Sequence, residues 1–433
     1  MRSLMDLPAL GACALLALTS VAVGAADTTT STVTVIKAGR LIDVATGKVR
    51  DNQLIVVTGK TITAVGPVTS ISVPTGAKVI DLSGQTVLPG LIDTHTHITS
   101  DPTLPPYHGY GESYPREALK GVRFARDTLL AGVTTIRNVG AGGYTDVALR
   151  DAINAGDTIG PRILASGPAI GITGGHCDDN LLAPEFGYRA EGVADGVDAV
   201  RAMVRKNIKY GADVIKYCGT GGVFSKGDSP GAQQYTPEEV AALVNEAHMA
   251  GRRVAVHAHG AEGIKVAIRA GVDTVEHASL IDDEGLDLAK KNGTWLSMDI
   301  YNTEYTQTEG PKRGELEEFL KKDRDIAEVQ RENFRKAVQR GIKLTMGTDA
   351  GVYRHGDNPK QLAYMVKYGM TPMQAIQAAT AVGADALGLA KTVGQVAPGY
   401  SADIIAVPAD PLADVSVLEH VAFVMKEGVV YKQ

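Results

Sequence analysis

The chain has 433 residues, of which 44% are hydrophobic and only 5% aromatic, with a formal net charge of -6. That length permits a large core, either as two or three domains or as one α/β barrel of about 250 residues with additions. The acidic balance and the lack of a basic run argue against a nucleic-acid partner, because phosphate recognition needs clustered Lys and Arg.

In chain order, residues 1–25 read as a secretory signal peptide. Arg2 lies in a short head, an apolar stretch runs from Leu7 to Val23, and Gly24, Ala25 and Ala26 close it. The stretch is short for a membrane span and is broken by Gly11, Thr19 and Ser20, so cleavage after Ala25 or Ala26 is expected. The mature protein is then periplasmic or secreted, with no membrane attachment. A Thr-rich leader, Thr28 to Thr32, follows. Short alternating segments at 32–36, 53–57, 61–65 and 78–82 predict strands, as do 402–407, 421–425 and 429–431 near the other end. Two strand-rich ends flanking one α/β region predict a single small β-sandwich built from residues 26–90 and 392–433.

Residues 91–391 alternate between strand and helix patterns. Strands are predicted at the His95 segment and at 133–137, 162–166, 212–216, 253–257, 274–277, 294–298 and 344–348. Thr236-Pro237-Glu238-Glu239 and Thr371-Pro372-Met373-Gln374 each supply a cap, a Pro at the first helical position and a side chain that reaches back. A right-handed βα repeat of eight closes as a TIM (β/α)8 barrel, with reactive groups gathered at the C-terminal ends of its strands.

The chemistry starts at Leu88-Pro89-Gly90-Leu91-Ile92-Asp93-Thr94-His95-Thr96-His97. Side chains at i and i+2 of a strand point the same way, so His95 and His97 can grip one metal ion. A bare His-x-His is weak evidence, but Lys216, His257, His277 and Asp349 each sit where a short β-rich segment stops. By the same periodicity His259 shares the face of His257 and can hydrogen-bond a substrate or a developing oxyanion.

This order of His-x-His, Lys, His, His and Asp resembles the amidohydrolase superfamily, in its subtype with two metals bridged by a carboxylated lysine, from about Val33 to the C-terminus. Lys216 followed by Gly219-Thr220-Gly221-Gly222, with His257-Ala258-His259-Gly260 downstream, is similar to the branch of prolidase-like dipeptidases, imidazolonepropionase-like proteins and ochratoxin-type amidases. Relatives often carry Asp where Asn138 stands. The resemblance implies that His95, His97 and Asp349 bind one metal, that His257 and His277 bind a second, and that Lys216 bridges them as a carbamate formed with carbon dioxide. Nitrogen and oxygen donors without thiolate suit two zinc ions, with manganese, cobalt or iron compatible by ligand type. Asp349 is expected to take a proton from water and pass it to the departing nitrogen.

The resemblance also suggests a substrate-binding position at His176, within Ile172-Thr173-Gly174-Gly175-His176. Tyr217, Lys226 and Arg137 are further candidates to receive a substrate carboxylate, whereas His248 and His420 read as structural. Cys177 and Cys218 follow two successive predicted strands; a bridge suits an oxidising compartment, and free thiols are the simpler expectation. The expected activity is hydrolysis of the amide joining an acyl group to a C-terminal amino acid, in dipeptides, N-acyl amino acids or ochratoxin-like amides. The alternative is a cyclic-amide hydrolase of the imidazolonepropionase type, against which export and Lys216 both weigh. A non-catalytic barrel scaffold is a third reading, disfavoured because every ligand position is filled. Oligomeric state is left open, a homo-oligomer included.

Overall fold

Strands from both ends of the chain pair into one seven-stranded sheet. Its spatial order is Val429–Lys432, Phe423–Lys426, Ile404–Val407, Lys78–Pro89, Val33–Asp43, Lys48–Thr58 and Thr61–Pro67. The computed structural model describes residues 32–433; the expected signal peptide, Cys13 and the leader before Thr32 lie outside the described residues. The sheet bends over a core of its own that includes Ile36, Ile55, Ile62, Ile80, Ile404 and Phe423. Ile42, Leu88, Ile405, Val407 and Val424 instead join the core of the barrel. The first strand continues beyond its predicted end because the register shifts between Ala38 and Arg40. Gly39 allows that bend, since a Cβ there would lie 1.9 Å from the carbonyl oxygen of Ser83.

The remaining strands are parallel and form two arcs. Leu91–Thr96, Val133–Asn138 and Arg162–Leu164 make one; Val214–Cys218, Arg253–Gly260, Thr274–Leu280, Trp295–Ser297 and Leu344–Thr345 make the other. Isolated backbone hydrogen bonds stitch both seams: Thr94 donates to Met346 at 2.9 Å and His97 to Ala350 at 2.7 Å on one side, Asp213 to Ala165 at 2.7 Å and Ile170 to Lys216 at 2.9 Å on the other. Strand-to-helix alternation runs through both arcs, giving the TIM barrel with a β-sandwich built on its ends. Both expected capping boxes form, at Thr236 with Glu239 and at Thr371 with Gln374. Between the seventh and eighth barrel strands the chain forms the helix Asn302–Arg313, followed by the long helix Glu317–Gln339. Among the described residues no helix is long and apolar enough to cross a membrane.

Candidate active site

Parity along the first, fourth and fifth strands decides which of their side chains enter the barrel mouth. His95 and His97 close the first barrel strand, Lys216 lies in the fourth, His257 and His259 in the fifth and His277 in the sixth, and Asp349 follows the eighth. All of them line one cavity of about 340 Å³ at the C-terminal strand ends. Ligand atoms of His95, His97 and Asp349 lie within 4.8 Å of one another, as do those of His257, His259 and His277, and those of His277, Asp299 and Asp349.

The hydrogen bonds behind these rings select the nitrogen that faces the cup. His95 Nδ1 meets Glu276 Oε2 at 3.0 Å, His97 Nδ1 meets the Gly140 carbonyl at 3.2 Å, and His277 Nδ1 meets Asp299 Oδ1 at 2.9 Å. In these three Nδ1–H donates to the acceptor behind it, which leaves the Nε2 lone pair pointing inward. His257 is reversed: its Nε2 lies 3.4 Å from the Gly221 carbonyl, so Nδ1 is the inward donor. His259 Nδ1 pairs with Ser279 Oγ at 2.8 Å.

The donor set fits metal ions. His95 Nε2 is buried and has no hydrogen-bond partner, although Asp349 Oδ1 lies 3.3 Å away. Asp349 Oδ1 is equally 3.3 Å from His97 Nε2, and its Oδ2 accepts from Asn302 Nδ2 at 3.1 Å. Although burial opposes it, the imidazoles of His95 and His97 hold the Asp349 carboxyl well below the usual range. Burial brings the Lys216 ammonium down to about 8, against the pull of Glu276 and Asp349. Lys216 is buried and has no ion-pair partner among the described residues. Burial also lowers His257 and His259 well below the ordinary imidazole value, helped by the neighbouring imidazoles, and brings His176 down to about 3. These rings are therefore neutral, each with one nitrogen lone pair available to a cation or a hydrogen-bond donor. His277 and Asp349 both carry left-handed backbone, with φ of 66° and 60°, a strained conformation for such residues that the surrounding structure enforces.

Of the residues expected to bind substrate, the structure brings His176 and His259 into the cup and leaves Tyr217 and Lys226 out. Tyr217 follows Lys216 in the strand and so faces the opposite way, where it is buried against Tyr235 with ring centroids 6.1 Å apart. Lys226 is exposed on the rim of its loop. Arg137 is buried beneath the cup, donating to Glu276 Oε1 at 2.7 Å, to Thr274 Oγ1 at 2.8 Å and to the Thr94 carbonyl at 2.6 Å. Asn138 accepts from the Ile98 backbone at 2.6 Å and donates to Asp146 at 3.0 Å, so it braces the loop after the first strand and does not reach the ligands. His248 pairs with Asp273 at 3.0 Å on the surface.

Cys177 and Cys218 are joined in a disulfide with a Cα separation of 5.8 Å, in place of the free thiols expected. Both cysteines line the cup, and the bridge ties the His176 loop to the strand that carries Lys216. His176 stacks on His257 with centroids 4.0 Å apart.

The sequence reading passed over Glu276, Asp299, Asn302 and Gln330. Asp299 was within reach, since it directly follows the predicted seventh strand, 294–298, at the end where barrel chemistry concentrates. Asn302 and Gln330 come from helices and carried no such signal. Val223, Phe224, Ile326 and Val352 give the cup an apolar wall. A wider cleft of about 760 Å³ adjoins it through His97, Ser100 and Ala169, lined further out by Tyr110, Tyr114 and Glu117.

Residues 86–431 match the amidohydrolase family. Ochratoxinase of Aspergillus niger is 33% identical over 437 residues, which cover 94% of this chain and 88% of that protein. The crystal structure of a Xaa-Pro dipeptidase with bound methionine superimposes with a TM-score of 0.86 at 39% identity, over 93% of this chain and all of the other. A prolidase complexed with N-methylphosphonate-L-proline gives 0.84 at 28% identity, again over 93% of this chain and all of the other. The gathered histidines and Asp349 at the strand ends thus accompany relatedness along nearly the full length, and the chain belongs to the amidohydrolase family as a hydrolase acting on amide bonds.

Proposed function

We propose that the protein is a binuclear, zinc-dependent hydrolase of the amide between an acyl group and a C-terminal amino acid, exported to the periplasm or the medium. The observation that carries this reading is the convergence of His95, His97, Lys216, His257, His277 and Asp349 on one cavity, with the inward nitrogen of each ligand histidine selected by a hydrogen bond from behind. His95 Nε2, His97 Nε2 and Asp349 would hold one ion, and His257 Nδ1 and His277 Nε2 the other. Lys216, carboxylated on its neutral amine, would supply the shared anionic oxygens. When bound, such ions lower the pKa of water and polarise a carbonyl.

The chain's own groups supply the rest. Asp349, held at Oδ2 by Asn302, takes a proton at Oδ1 and delivers it to the departing nitrogen. His259, fixed through Ser279, faces the developing oxyanion or the substrate carboxylate. The apolar wall of Val223, Phe224, Ile326 and Val352 favours an apolar substrate side chain, which agrees with the bound methionine of the dipeptidase and the ochratoxin substrate implied by the fungal enzyme's name. Among the described residues, no Lys or Arg other than Lys216 lines the cup. Carboxylate recognition therefore falls to imidazole, amide and backbone groups.

The test is hydrolysis of a panel of dipeptides and N-acyl amino acids by zinc-reconstituted protein, with elemental analysis of metal content. Free acids with apolar side chains should be cleaved, with two metal ions per chain. Cleavage confined to imidazolone or hydantoin rings, or full activity with one ion, would overturn the reading.

A further inference from the structure

His176 is held by a chain of hydrogen bonds that leads away from the cup. Its Nδ1 lies 2.8 Å from Ser225 Oγ. Ser225 Oγ in turn lies 2.7 Å from Asp228 Oδ1, 2.8 Å from Asp228 Oδ2 and 3.4 Å from the Gly222 carbonyl. Asp228 is ion-paired with Lys322 Nζ at 3.0 Å, and both side chains are about nine-tenths buried, with relative exposures of 10% and 12%. Gln234 spans the same group, accepting from the His176 backbone at 3.1 Å and donating to Asp228 Oδ2 at 3.3 Å. Gly222 closes the arrangement: a Cβ there would lie 2.2 Å from His176 Nδ1, so only glycine lets the backbone lie against the ring.

Proton counting fixes the direction of this chain. A carboxylate paired with a lysine only accepts, and a serine hydroxyl has a single hydrogen. With both Asp228 oxygens within 2.8 Å of Ser225 Oγ, that hydrogen goes to Asp228. Ser225 can then only accept from the imidazole, so the proton of the ring sits on Nδ1. No protein group bonds to Nε2 among the described residues, and the ring lines the cup. With no such acceptor in reach, a second proton on Nε2 would have nothing to bond, so Nε2 is bare.

We infer that Ser225, Asp228 and Lys322 are positioning residues that hold His176 in its Nδ1–H tautomer, so that Nε2 offers the cup a lone pair and receives a hydrogen-bond donor from the substrate. On the amide-hydrolase reading proposed above, on which this last step rests, that donor is the scissile N–H or the amine it becomes. His176 is accordingly a receptor for nitrogen and does not anchor a carboxylate.

The experiment is a long-range 1H–15N correlation spectrum of histidine-labelled, zinc-loaded protein, with His176 assigned from His176→Gln. It is paired with kcat and KM for Ser225→Ala, Ser225→Thr and Asp228→Asn. In the native chain His176 should show a protonated Nδ1 and a bare Nε2. In Asp228→Asn, Lys322 takes the amide oxygen and the NH2 faces Ser225, which turns the hydroxyl toward Nδ1 and moves the ring proton to Nε2. That variant and Ser225→Ala should lose about a hundredfold in kcat, as expected for a misplaced reacting group, with smaller changes in KM. Ser225→Thr should keep the tautomer and most of the rate. A native spectrum with the proton on Nε2, or an unchanged tautomer and kcat in both Asp228→Asn and Ser225→Ala, would overturn the assignment. Because the tautomer is read without substrate, failure to cleave any amide would sink the proposed substrate class and leave this assignment standing.

Discussion

Glu276→Gln separates stability from metal affinity at a residue that no substrate touches. Glu276 is fully buried and holds three partners at once, Arg137 at 2.7 Å, His95 Nδ1 at 3.0 Å and the Thr274 hydroxyl at 2.5 Å. The amide removes the charge opposite Arg137, leaving an uncompensated guanidinium in the barrel interior. Breaking such a pair costs about 3–5 kcal/mol. The described residues number 402, from 433 less the first 31. At about 2.1 cal/mol/K per residue their unfolding entropy is about 0.84 kcal/mol/K, so the loss corresponds to about 4–6 °C in Tm. If the amide turns its NH2 toward His95, the ring proton moves to Nε2, which faces the metal site, and metal affinity should fall about ten- to a hundredfold.

Calorimetry on metal-free protein reads the first effect, and zinc titration reads the second. The sign with pH follows from the carboxyl being held below its ordinary value, against burial, by Arg137 and His95. Its contribution is present above the unfolded value of 4.5 and lost only as pH falls through the lower folded value. The Tm difference between native and variant protein should thus persist down to about pH 5, growing as His95, whose own pKa Glu276 helps to raise against burial, takes up its proton, and should shrink in stronger acid. A shift under about 1 °C together with native zinc affinity would refute the reasoning.

Three further outcomes are expected. Lys216→Ala should lose activity by orders of magnitude and bind fewer than two ions by elemental analysis, with a short-chain acid such as propionate restoring part of the rate. Asp349→Asn should keep at least one ion while losing turnover, because an amide keeps an oxygen donor but cannot carry a proton at neutral pH; near-native kcat with metal bound would shift the proton transfer to another group. Reduction of Cys177–Cys218, which closes a loop with a sequence separation of 41, should cost about 4 kcal/mol by loop entropy, read as a lower Tm in thiol, and should raise KM through the freed His176 loop.

The strand ends were legible because period-two alternation and the barrel rule act on local sequence. Lys216 and Tyr217 show how far that goes: adjacent strand residues face opposite sides, so the placement of Lys216 in the cup already excluded Tyr217 from it. Lys226 and His176 were not separable in the same way. The path of the Gly-rich loop is set by Lys322, about a hundred residues away on the helix Glu317–Gln339, and by a disulfide whose partner lies on another strand. No local pattern carries that information.

The sixth strand shows where alternation itself gives way. Glu276 and His277 are neighbours, yet Glu276 reaches His95 and Arg137 inside the barrel while His277 also lines the cup. Regular pleating forbids this. It becomes allowed because His277 and Ala278 adopt φ of 66° and 47°, breaking the ladder register between His277 and Leu280. The strained turn is held from outside: Gln330 donates to the His277 carbonyl at 3.2 Å and to Asp299 Oδ1 at 3.1 Å, and Asn333 donates to the Ser279 carbonyl at 2.9 Å. Asp299 then receives His277 Nδ1. A helix with no ligand of its own therefore stabilises the backbone conformation that lets one strand supply both a ligand and the carboxylate orienting another. The placement of His277 is a tertiary property, which explains why its position in the cup could be expected from order along the chain but not from the period of its strand.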